Sequence, residues 1–432
     1  MAKHRASRRV VPVLIVLALM LLAGVSGALL VSGHGLGNSS SSTNPANPSG
    51  PSNPNASLPV TGATGYLHTS GVHLLSSSGQ VVQLTGLNVE GLESTNPQGS
   101  SVPGQCHSGW KPLTASEVKL IAGYGFNSVR LPISWGNIEP VAPSIGANGS
   151  LVHHWNSAYV TALKDEIALF GQSNIQVVLD MHQSTWGPAF LTPPYSKKPS
   201  CPGGGMPVWL NPNAASETVG KASCGFLANQ GEPGVPGTPW SDFIAAETYI
   251  DGVFANNPTV VGQDVINEPF CGQGIADLNG FYAAVAPAIH KVNPNILIIL
   301  EDKEDPGTYL LSQVPNVPNV VLSTHLHQDY WTAPTAGQKP LAFSGQAALE
   351  ANVQRSVQFN VPLYIGEFYV FDGTNSQNKN SQADATWVSD TASFLAYARQ
   401  HDLSWAFWSW LQKKHPEIQP TFSSAAHSAL KQ

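Results

Sequence analysis

The sequence predicts an α/β fold in which short apolar strands alternate with amphipathic helices, and two sets of segments support this prediction. Eight runs have the length and apolar content of buried strands, at residues 81–88, 126–132, 175–181, 259–267, 295–300, 319–325, 361–367 and 403–410. Helix-like patterns lie between them, at residues 114–124, 156–171, 239–256, 277–292, 344–359 and 384–401, whereas 303–318 shows no clear pattern. Strands this apolar need cover on both faces, as in parallel sheets. Eight repeats of strand and helix favour a closed (β/α)8 TIM barrel over an open doubly wound sheet.

The residues before the barrel have a different composition. A basic stretch precedes Val10–Val31, which contains no charged residue. This run is longer than the ~7–15 apolar residues of a signal peptide and close to the ~20 of a membrane-spanning helix, yet it also contains small residues that suit cleavage. We therefore predict that residues 1–37 form an apolar helix, either a signal peptide or a signal anchor. Residues 38–63, rich in Ser, Asn and Pro, are predicted to be a disordered linker, and residues 64–432 the folded domain.

The charge distribution excludes one class of partner. Four of the 20 basic residues and none of the 27 acidic residues lie before residue 64, so the predicted domain carries 16 basic groups against 27 acidic ones. Binding to nucleic acid requires cations that contact phosphates, and we expect no such partner here. The 11 Trp and 11 Tyr residues provide flat faces of the kind that stack on sugar rings, although a large core also uses them.

Polar side chains stand at the ends of most predicted strands. They are Arg130 on the second strand, His182 after the third, Asn267 and Glu268 after the fourth, His325 at the sixth, Glu367 at the seventh and Trp408 on the eighth. In a (β/α)8 barrel the carboxyl ends of the strands form one face, where active sites lie. The pattern predicts that these side chains converge there.

Six motifs follow one another along the chain: GLN (86–88), FNSVRLPISW (126–135), VVLDMHQ (177–183), INEP (266–269), YIGEF (364–368) and FWS (407–409). Their order resembles glycoside hydrolase family 5, the cellulase-like retaining β-glycosidases. The resemblance covers residues 80–410. It implies that Glu268 is the acid/base, that Glu367 is the nucleophile, and that Asn267 binds the sugar 2-hydroxyl.

The chemistry of glycoside cleavage independently suits a pair of carboxyl groups. Retaining enzymes hold them roughly 5–5.5 Å apart, so that one protonates the leaving oxygen while the other attacks the sugar. Glu268 and Glu367 end strands that face each other across the barrel mouth. We expect Arg130 to keep Glu367 ionised. His182 and His325 are expected to line the sugar subsite, with Trp408 as its stacking floor.

One position departs from the family pattern. The family usually has a Tyr two residues after the His of the sixth strand, and here that residue is His327. Either Tyr330 takes the role of that Tyr, or His327 is the true equivalent of the strand-six His. His325, His327 and Asp329 have metal-ligand side chains, but such spacing is common. We expect no metal and no cofactor.

The chain contains four cysteines, Cys106, Cys201, Cys224 and Cys271. An even number in an exported chain predicts disulfides. Cys201 and Cys224 lie in the same long insertion, at about 183–238, and are expected to pair with each other. Cys106 and Cys271 fall in loops on the catalytic face and are expected to form the second bridge.

Three functions remain open at this stage. The first is hydrolysis of a β-glucan or related polysaccharide, as in endoglucanases. The second is an endoglycoceramidase-like action on glycolipids, which the LDMHQ motif at 179–183 resembles. The third is a barrel that binds carbohydrate without catalysis. We expect a carbohydrate partner, a monomer, contact with a membrane only through the N-terminal segment, and a location outside the cell or tethered to its outer face.

Overall fold

The computed structural model describes residues 65–93, 113–183, 186–190, 205–271, 277–302, 310–326, 346–368 and 392–410. The predicted N-terminal helix and linker fall outside these residues, as do Cys106, Cys201, His327, Asp329 and Tyr330. Within the described ranges, every helix is too short or too polar to cross a membrane.

Twelve strands run through the described ranges: β1 (His68–Ser70), β2 (His73–Leu75), β3 (Thr85–Val89), β4 (Ser128–Ile133), β5 (Val141–Ile145), β6 (Leu151–His154), β7 (Gln176–Met181), β8 (Val260–Asp264), β9 (Leu297–Glu301), β10 (Val320–Leu326), β11 (Leu363–Phe368) and β12 (Ser404–Trp410). Eight of them form a closed parallel barrel in the order β3-β4-β7-β8-β9-β10-β11-β12, and β12 pairs with β3. The predicted (β/α)8 barrel is confirmed, since each of the eight predicted strands is present.

Helices connect the barrel strands: α1 (Ala115–Gly123), α2 (Trp135–Ile138), α3 (Ser157–Gln172), α4 (Val219–Leu227), α5 (Pro239–Phe254), α6 (Leu278–Val292), α7 (Gln346–Phe359) and α8 at residues 392–400. Six of the helices begin directly after a capping residue, namely Thr114, Ser134, Asn156, Thr218, Thr238 or Asp277. Each of these side chains accepts a hydrogen bond from a backbone N–H of the first turn, which satisfies a donor that the helix itself leaves unpaired.

Buried side chains form two layers that follow from the alternation of a strand. On β7, Val177 and Leu179 point outward into the apolar layer beneath the helices, while Val178 points into the barrel interior. The interior is filled by apolar side chains from the other strands, including Leu297 and Val321. The barrel is therefore a packed core rather than a pore. Its polar groups are concentrated at the strand ends.

The sequence pattern did not reveal several short elements. The hairpins β1–β2 and β5–β6 have strands of three to five residues, and α4 lies within the long insertion before α5. Strands of this length carry too few residues to show a period of two. The β5–β6 hairpin and α4 both lie in connections that leave the carboxyl ends of barrel strands, so they flank the catalytic face.

Candidate active site

Arg130 stands at the centre of the polar cluster. Strand β4 carries its side chain into the barrel, where the guanidinium is fully buried. Its Nε atom donates to Asp264 Oδ2 at 3.0 Å, and Nη1 lies 2.9 Å from Glu367 Oε1 and 3.0 Å from Asp180 Oδ2. Nη2 donates to Glu301 Oε1 at 2.9 Å. One cation thus contacts four carboxyl groups, and it cannot neutralise all of them.

Protons and a second cation balance part of this charge. The pKa of Asp264 is raised well above its usual value because burial and the Glu301 charge outweigh the attraction of Arg130. Burial and the Glu301 charge therefore favour the protonated form of Asp264. Asp180 has a second partner, His182, whose Nδ1 lies 2.8 Å from Asp180 Oδ2. Burial lowers the pKa of His182, but the charge and hydrogen bond of Asp180 raise it more, to about 9.

The two predicted catalytic carboxyl groups lie close together at the mouth. Glu268 and Glu367 each have a carboxylate oxygen within a group of atoms that are all within 4.8 Å of one another, and a nitrogen of His325 completes the group. The Glu367 side chain is 5% exposed and that of Glu268 is 21% exposed. The more buried carboxyl group contacts Arg130, and the more exposed one faces the opening.

The Asn267–Glu268 turn is held in an uncommon conformation. Glu268 has a φ of 43°, in the left-handed region that costs a residue other than glycine about 1–3 kcal/mol. Gln183 Nε2 donates to the carbonyl oxygens of Asn267 and Glu268 at 2.8 and 2.9 Å. Asn267 Nδ2 donates in return to the Gln183 carbonyl at 2.8 Å, and the backbone N–H of Glu268 donates to Glu301 Oε2 at 2.6 Å. These bonds stabilise the strained turn.

His325 lies between two carboxyl groups. Its Nδ1 is 2.8 Å from Glu268 Oε1, and its Nε2 is 2.9 Å from Glu301 Oε1. Burial lowers the pKa of His325, but the charges of Glu301 and Glu367 raise it well above the usual value. The imidazole is therefore charged. Glu268, His325 and Glu367 have metal-ligand side chains, but a metal would require a neutral imidazole. The arrangement favours ion pairing over metal binding.

Those of the other predicted site residues that the structure describes lie at the carboxyl ends of the barrel strands, as the strand-end argument predicts. Trp408 stacks on His182 with ring centroids 5.6 Å apart and planes 13° apart. Asn267 Oδ1 accepts a hydrogen bond from Arg130 Nη2 at 2.8 Å. Its amide then has one hydrogen left for a sugar hydroxyl, since Nδ2 uses the other on Gln183. Tyr330 lies outside the described residues, so its role stays a prediction.

The predicted disulfide pairing is wrong. Cys224 bonds to Cys271, with Cα atoms 4.6 Å apart, which excludes both Cys201–Cys224 and Cys106–Cys271. The cause is α4, which carries Cys224 away from its own loop to the segment that follows Glu268. A hydrogen bond from Ser223 Oγ to the Phe270 carbonyl joins the same two segments. Closeness in sequence therefore gave the wrong partner.

Sequence reasoning missed several polar residues of the site, Asp180 and Asp264 among them. Glu301 ends β9 and contacts Arg130, His325 and Glu268, but the predicted strand stopped one residue before it. Asn88 Oδ1 accepts from Arg130 Nη1 at 3.0 Å. Glu90 accepts a hydrogen bond from Ser409 Oγ, and burial raises its pKa to about 7. The signal that located Glu268, a polar residue closing an apolar run, also applies to Glu301 and to the GLNVE segment.

A parallel barrel with two close carboxyl groups at the ends of its fourth and seventh strands is typical of a retaining glycosidase. The cellulase (glycosyl hydrolase family 5) model matches residues 75–414, and the chain belongs to this family. The predicted family is thereby confirmed.

Relatives with two kinds of name are similar to this chain. An endoglucanase from Paenibacillus polymyxa is 27% identical over 248 residues, which are 55% of this chain and 50% of the relative. Endoglycoceramidase I from Rhodococcus hoagii is 27% identical over 243 residues, 45% of this chain and 44% of the relative. The chain thus spans about half the length of these curated relatives. The crystal structure of an endogalactoceramidase has a TM-score of 0.61 at 24% identity and covers 80% of this chain and 75% of that one, which is a likeness of fold.

Proposed function

We propose that the chain hydrolyses β-glycosidic bonds with retention of configuration. The observation that carries this proposal is the spacing of Glu268 and Glu367, whose carboxylate oxygens approach within 4.8 Å. Retaining enzymes hold these groups roughly 5–5.5 Å apart, whereas inverting enzymes separate them by roughly 6.5–9.5 Å to admit a water molecule. The observed spacing therefore favours the retaining mechanism.

The surroundings of the two groups support different roles. Glu367 is buried against the Arg130 guanidinium, which favours the ionised form that a nucleophile needs. In the first step Glu367 attacks the anomeric carbon, and Glu268 gives its proton to the leaving oxygen. In the second step Glu268 takes a proton from water, and that water releases the sugar from Glu367. The non-catalytic alternative does not explain why both carboxyl groups are held at this spacing.

For the substrate we propose an internal bond of a β-linked glucan or related polysaccharide. The Trp408 ring, stacked on His182 at the mouth, offers a flat apolar face on which a pyranose ring can rest. Similarity to an endoglucanase supports this choice. A glycolipid is the second candidate. It is supported by Gln183, the last residue of the LDMHQ motif, which holds the turn that carries Glu268, and by similarity to endoglycoceramidases.

The test is a substrate panel read by product stereochemistry. Barley β-glucan, carboxymethyl cellulose, mannan and a ganglioside are incubated with the protein, and the first products are followed by proton NMR. We expect hydrolysis of a β-glucan with the β-anomer appearing first. Initial release of the α-anomer would contradict retention, and cleavage of the ganglioside alone would select the second candidate. Binding of a glucan without cleavage would leave the carbohydrate-binding alternative.

We also propose that the domain works outside the cytoplasm. The Cys224–Cys271 disulfide supports this location, because such bonds persist in oxidising compartments. The basic and apolar N-terminal segment supports it as well. Fusion of residues 1–63 to a reporter that is active only after export tests the proposal, and a reporter that stays inactive in the cytoplasm would contradict it.

A further inference from the structure

Glu301 contacts the acid/base candidate by two routes. Its Oε2 accepts the backbone N–H of Glu268 at 2.6 Å. Its Oε1 lies 2.9 Å from His325 Nε2, and the other nitrogen of that ring lies 2.8 Å from Glu268 Oε1. A carboxylate, an imidazole and a carboxyl group thus form a continuous chain. Glu301 reaches both the backbone and the side chain of Glu268.

The three atoms that face the Glu301 carboxylate are all donors when His325 is charged. The Glu268 backbone N–H and the Arg130 Nη2–H donate hydrogen bonds to it, and the His325 Nε2–H lies within ion-pair distance. An ionised carboxylate suits these three donors better than a protonated one, which would add a donor of its own. Burial raises the pKa of Glu301, but the charges of His325 and Arg130 lower it by more. The net pKa is lowered, which favours the ionised form.

Neutralisation of Arg130 does not by itself explain Glu301. Arg130 already contacts Asp180, Asp264 and Glu367, and the pKa of Asp264 is raised, first by burial and then by the charge of Glu301. A fourth carboxylate adds to that excess. His325, by contrast, gains from Glu301 the charge that keeps its ring protonated.

The surrounding structure fixes this chain of groups. The Glu301 carbonyl accepts a hydrogen bond from Tyr282 Oη of α6 at 2.7 Å, which anchors the end of β9. The His325 ring rests against the backbone of Gly366, where an added Cβ would lie 2.8 Å from His325 Nε2. Gly366 belongs to the YIGEF motif and precedes the predicted nucleophile. The ring therefore has little freedom to turn away from Glu301.

We propose that Glu301 is a positioning residue for general acid catalysis, which holds the backbone of Glu268 and, through His325, its carboxyl group in the orientation for proton transfer. This inference rests on the proposed function, in which Glu268 is the acid/base. Because His325 donates to Oε1 of Glu268, the proton that Glu268 transfers sits on its other oxygen.

Substitution of Glu301 by Gln tests the proposal with two aryl β-cellobiosides. Gln has one acceptor oxygen and an NH2 group, so at least one of the three donors would meet another donor. A phenol leaving group needs protonation, whereas 2,4-dinitrophenol does not. We expect Glu301→Gln to lower kcat/KM for the phenyl glycoside about 10²-fold, the scale of general acid catalysis, and for the dinitrophenyl glycoside by no more than about threefold.

Two further variants separate positioning from a general structural effect. Asp302 is the adjacent buried acid, but it binds Arg355 Nη2 and the Leu310 backbone N–H, away from Glu268. Asp302→Asn should change both rates by the same factor. Glu301→Asp keeps the charge and should recover part of the phenyl-specific loss. Equal losses on both glycosides in Glu301→Gln would overturn the proposal.

Nitrogen-15 NMR of the His325 ring gives a readout that does not depend on turnover. The carboxyl groups that face His325 are Glu268, Glu301 and Glu367, with Asp264 further away. In the wild type both ring nitrogens should carry protons at pH 7, and Glu301→Gln should lower the pH at which the ring loses one. A neutral wild-type ring at pH 7 would overturn the inference even if no variant folds. Wild-type protein that hydrolyses neither glycoside would instead contradict the proposed function.

Discussion

Two groups of buried acids in this barrel are stabilised in opposite ways. At the mouth, Glu301 is ionised because His325 and Arg130 offset the cost of burial. Behind the barrel wall, Glu247 and Asp251 lie one turn apart on α5 and are fully buried. Within the described residues neither forms an ion pair with a basic side chain, and no side-chain oxygen of either accepts a hydrogen bond.

The difference shows that burial alone does not mark a catalytic carboxylate. Burial raises the pKa of Glu247 and of Asp251 well above the usual values, and for Glu247 the neighbouring Asp251 adds to the shift. Burial therefore favours the protonated form of both groups. The mouth differs because it combines cations with access to solvent, which allows one carboxyl group to be ionised while its neighbour exchanges a proton.

The largest expected effect comes from the mouth. Glu367→Ala should lower kcat by a factor on the order of 10⁴ or more, because no other group can form the covalent intermediate. Added azide should restore turnover and yield a glycosyl azide of inverted configuration. The measurement is product analysis by NMR with an aryl glycoside. Wild-type turnover in this variant would remove Glu367 from the mechanism.

Removal of the central cation should break the mouth cluster. Arg130→Met would leave Asp180, Glu301 and Glu367 buried with one fewer cation, and we expect a loss of stability of about 3–5 kcal/mol. Urea denaturation followed by circular dichroism measures this loss.

Arg130→Lys keeps a charge but not the planar fork. In Arg130→Lys the carboxylate of Glu367 is less well paired, so its pKa should rise. The acidic limb of the variant's kcat/KM profile should therefore move to higher pH. An unchanged acidic limb in the Lys variant would make Arg130 a structural residue only.

The Cys224–Cys271 disulfide should stabilise the folded domain. Cys224 and Cys271 are 47 residues apart, which corresponds to about 4 kcal/mol of loop-closure stabilisation as an upper value. The double variant Cys224→Ser, Cys271→Ser should therefore unfold at lower urea concentration and lose activity. Peptide mapping without reduction should identify the Cys224–Cys271 bridge in the wild type. A cross-linked peptide containing Cys201 and Cys224 would instead support the pairing predicted from the sequence.

The smallest effect on activity should appear behind the barrel wall, where the effect on stability should have the opposite sign. Since Glu247 stays protonated in the folded state and ionises in the unfolded chain, stability falls as pH rises above about 4.5, by about 1.4 kcal/mol per pH unit. Glu247→Gln replaces the carboxyl group with an amide that does not ionise, so this contribution to the pH dependence of stability is lost. We expect little change in stability at pH 4.5, increasing stabilisation toward pH 8, and unchanged kcat.

Urea denaturation of both proteins between pH 4.5 and pH 8 measures that difference. Parallel stability curves for wild type and Glu247→Gln would mean that Glu247 is ionised in the folded protein. The distinction between the two groups of acids would then be lost.

Local patterns were sufficient for the architecture and for the first view of the site. An apolar strand and the polar residue that closes it are adjacent in the chain, so a single segment such as DVINEPF, 264–270, carries both. The strand-end rule placed Glu268 and Glu367 at one face because parallel strands share a direction. Sequence reasoning missed Glu301 because the predicted strand ended one residue too early. At that position the sequence does not distinguish a residue at the barrel mouth from a residue of the following loop.

Contacts between distant segments depended on the folded chain. The pairing of Cys224 with Cys271 follows from the path of α4 across the catalytic face, and no spacing in the sequence encodes that path. From the sequence alone, Glu247 and Asp251 have the spacing expected of the polar face of an amphipathic helix, yet the packing of α5 buries both. The protonation of these acids, of Asp264 and of His325 is likewise set by which charges the fold brings within a few ångströms. Apolar periodicity is a property of neighbours in sequence, whereas the electrostatics of a buried group is a property of neighbours in space.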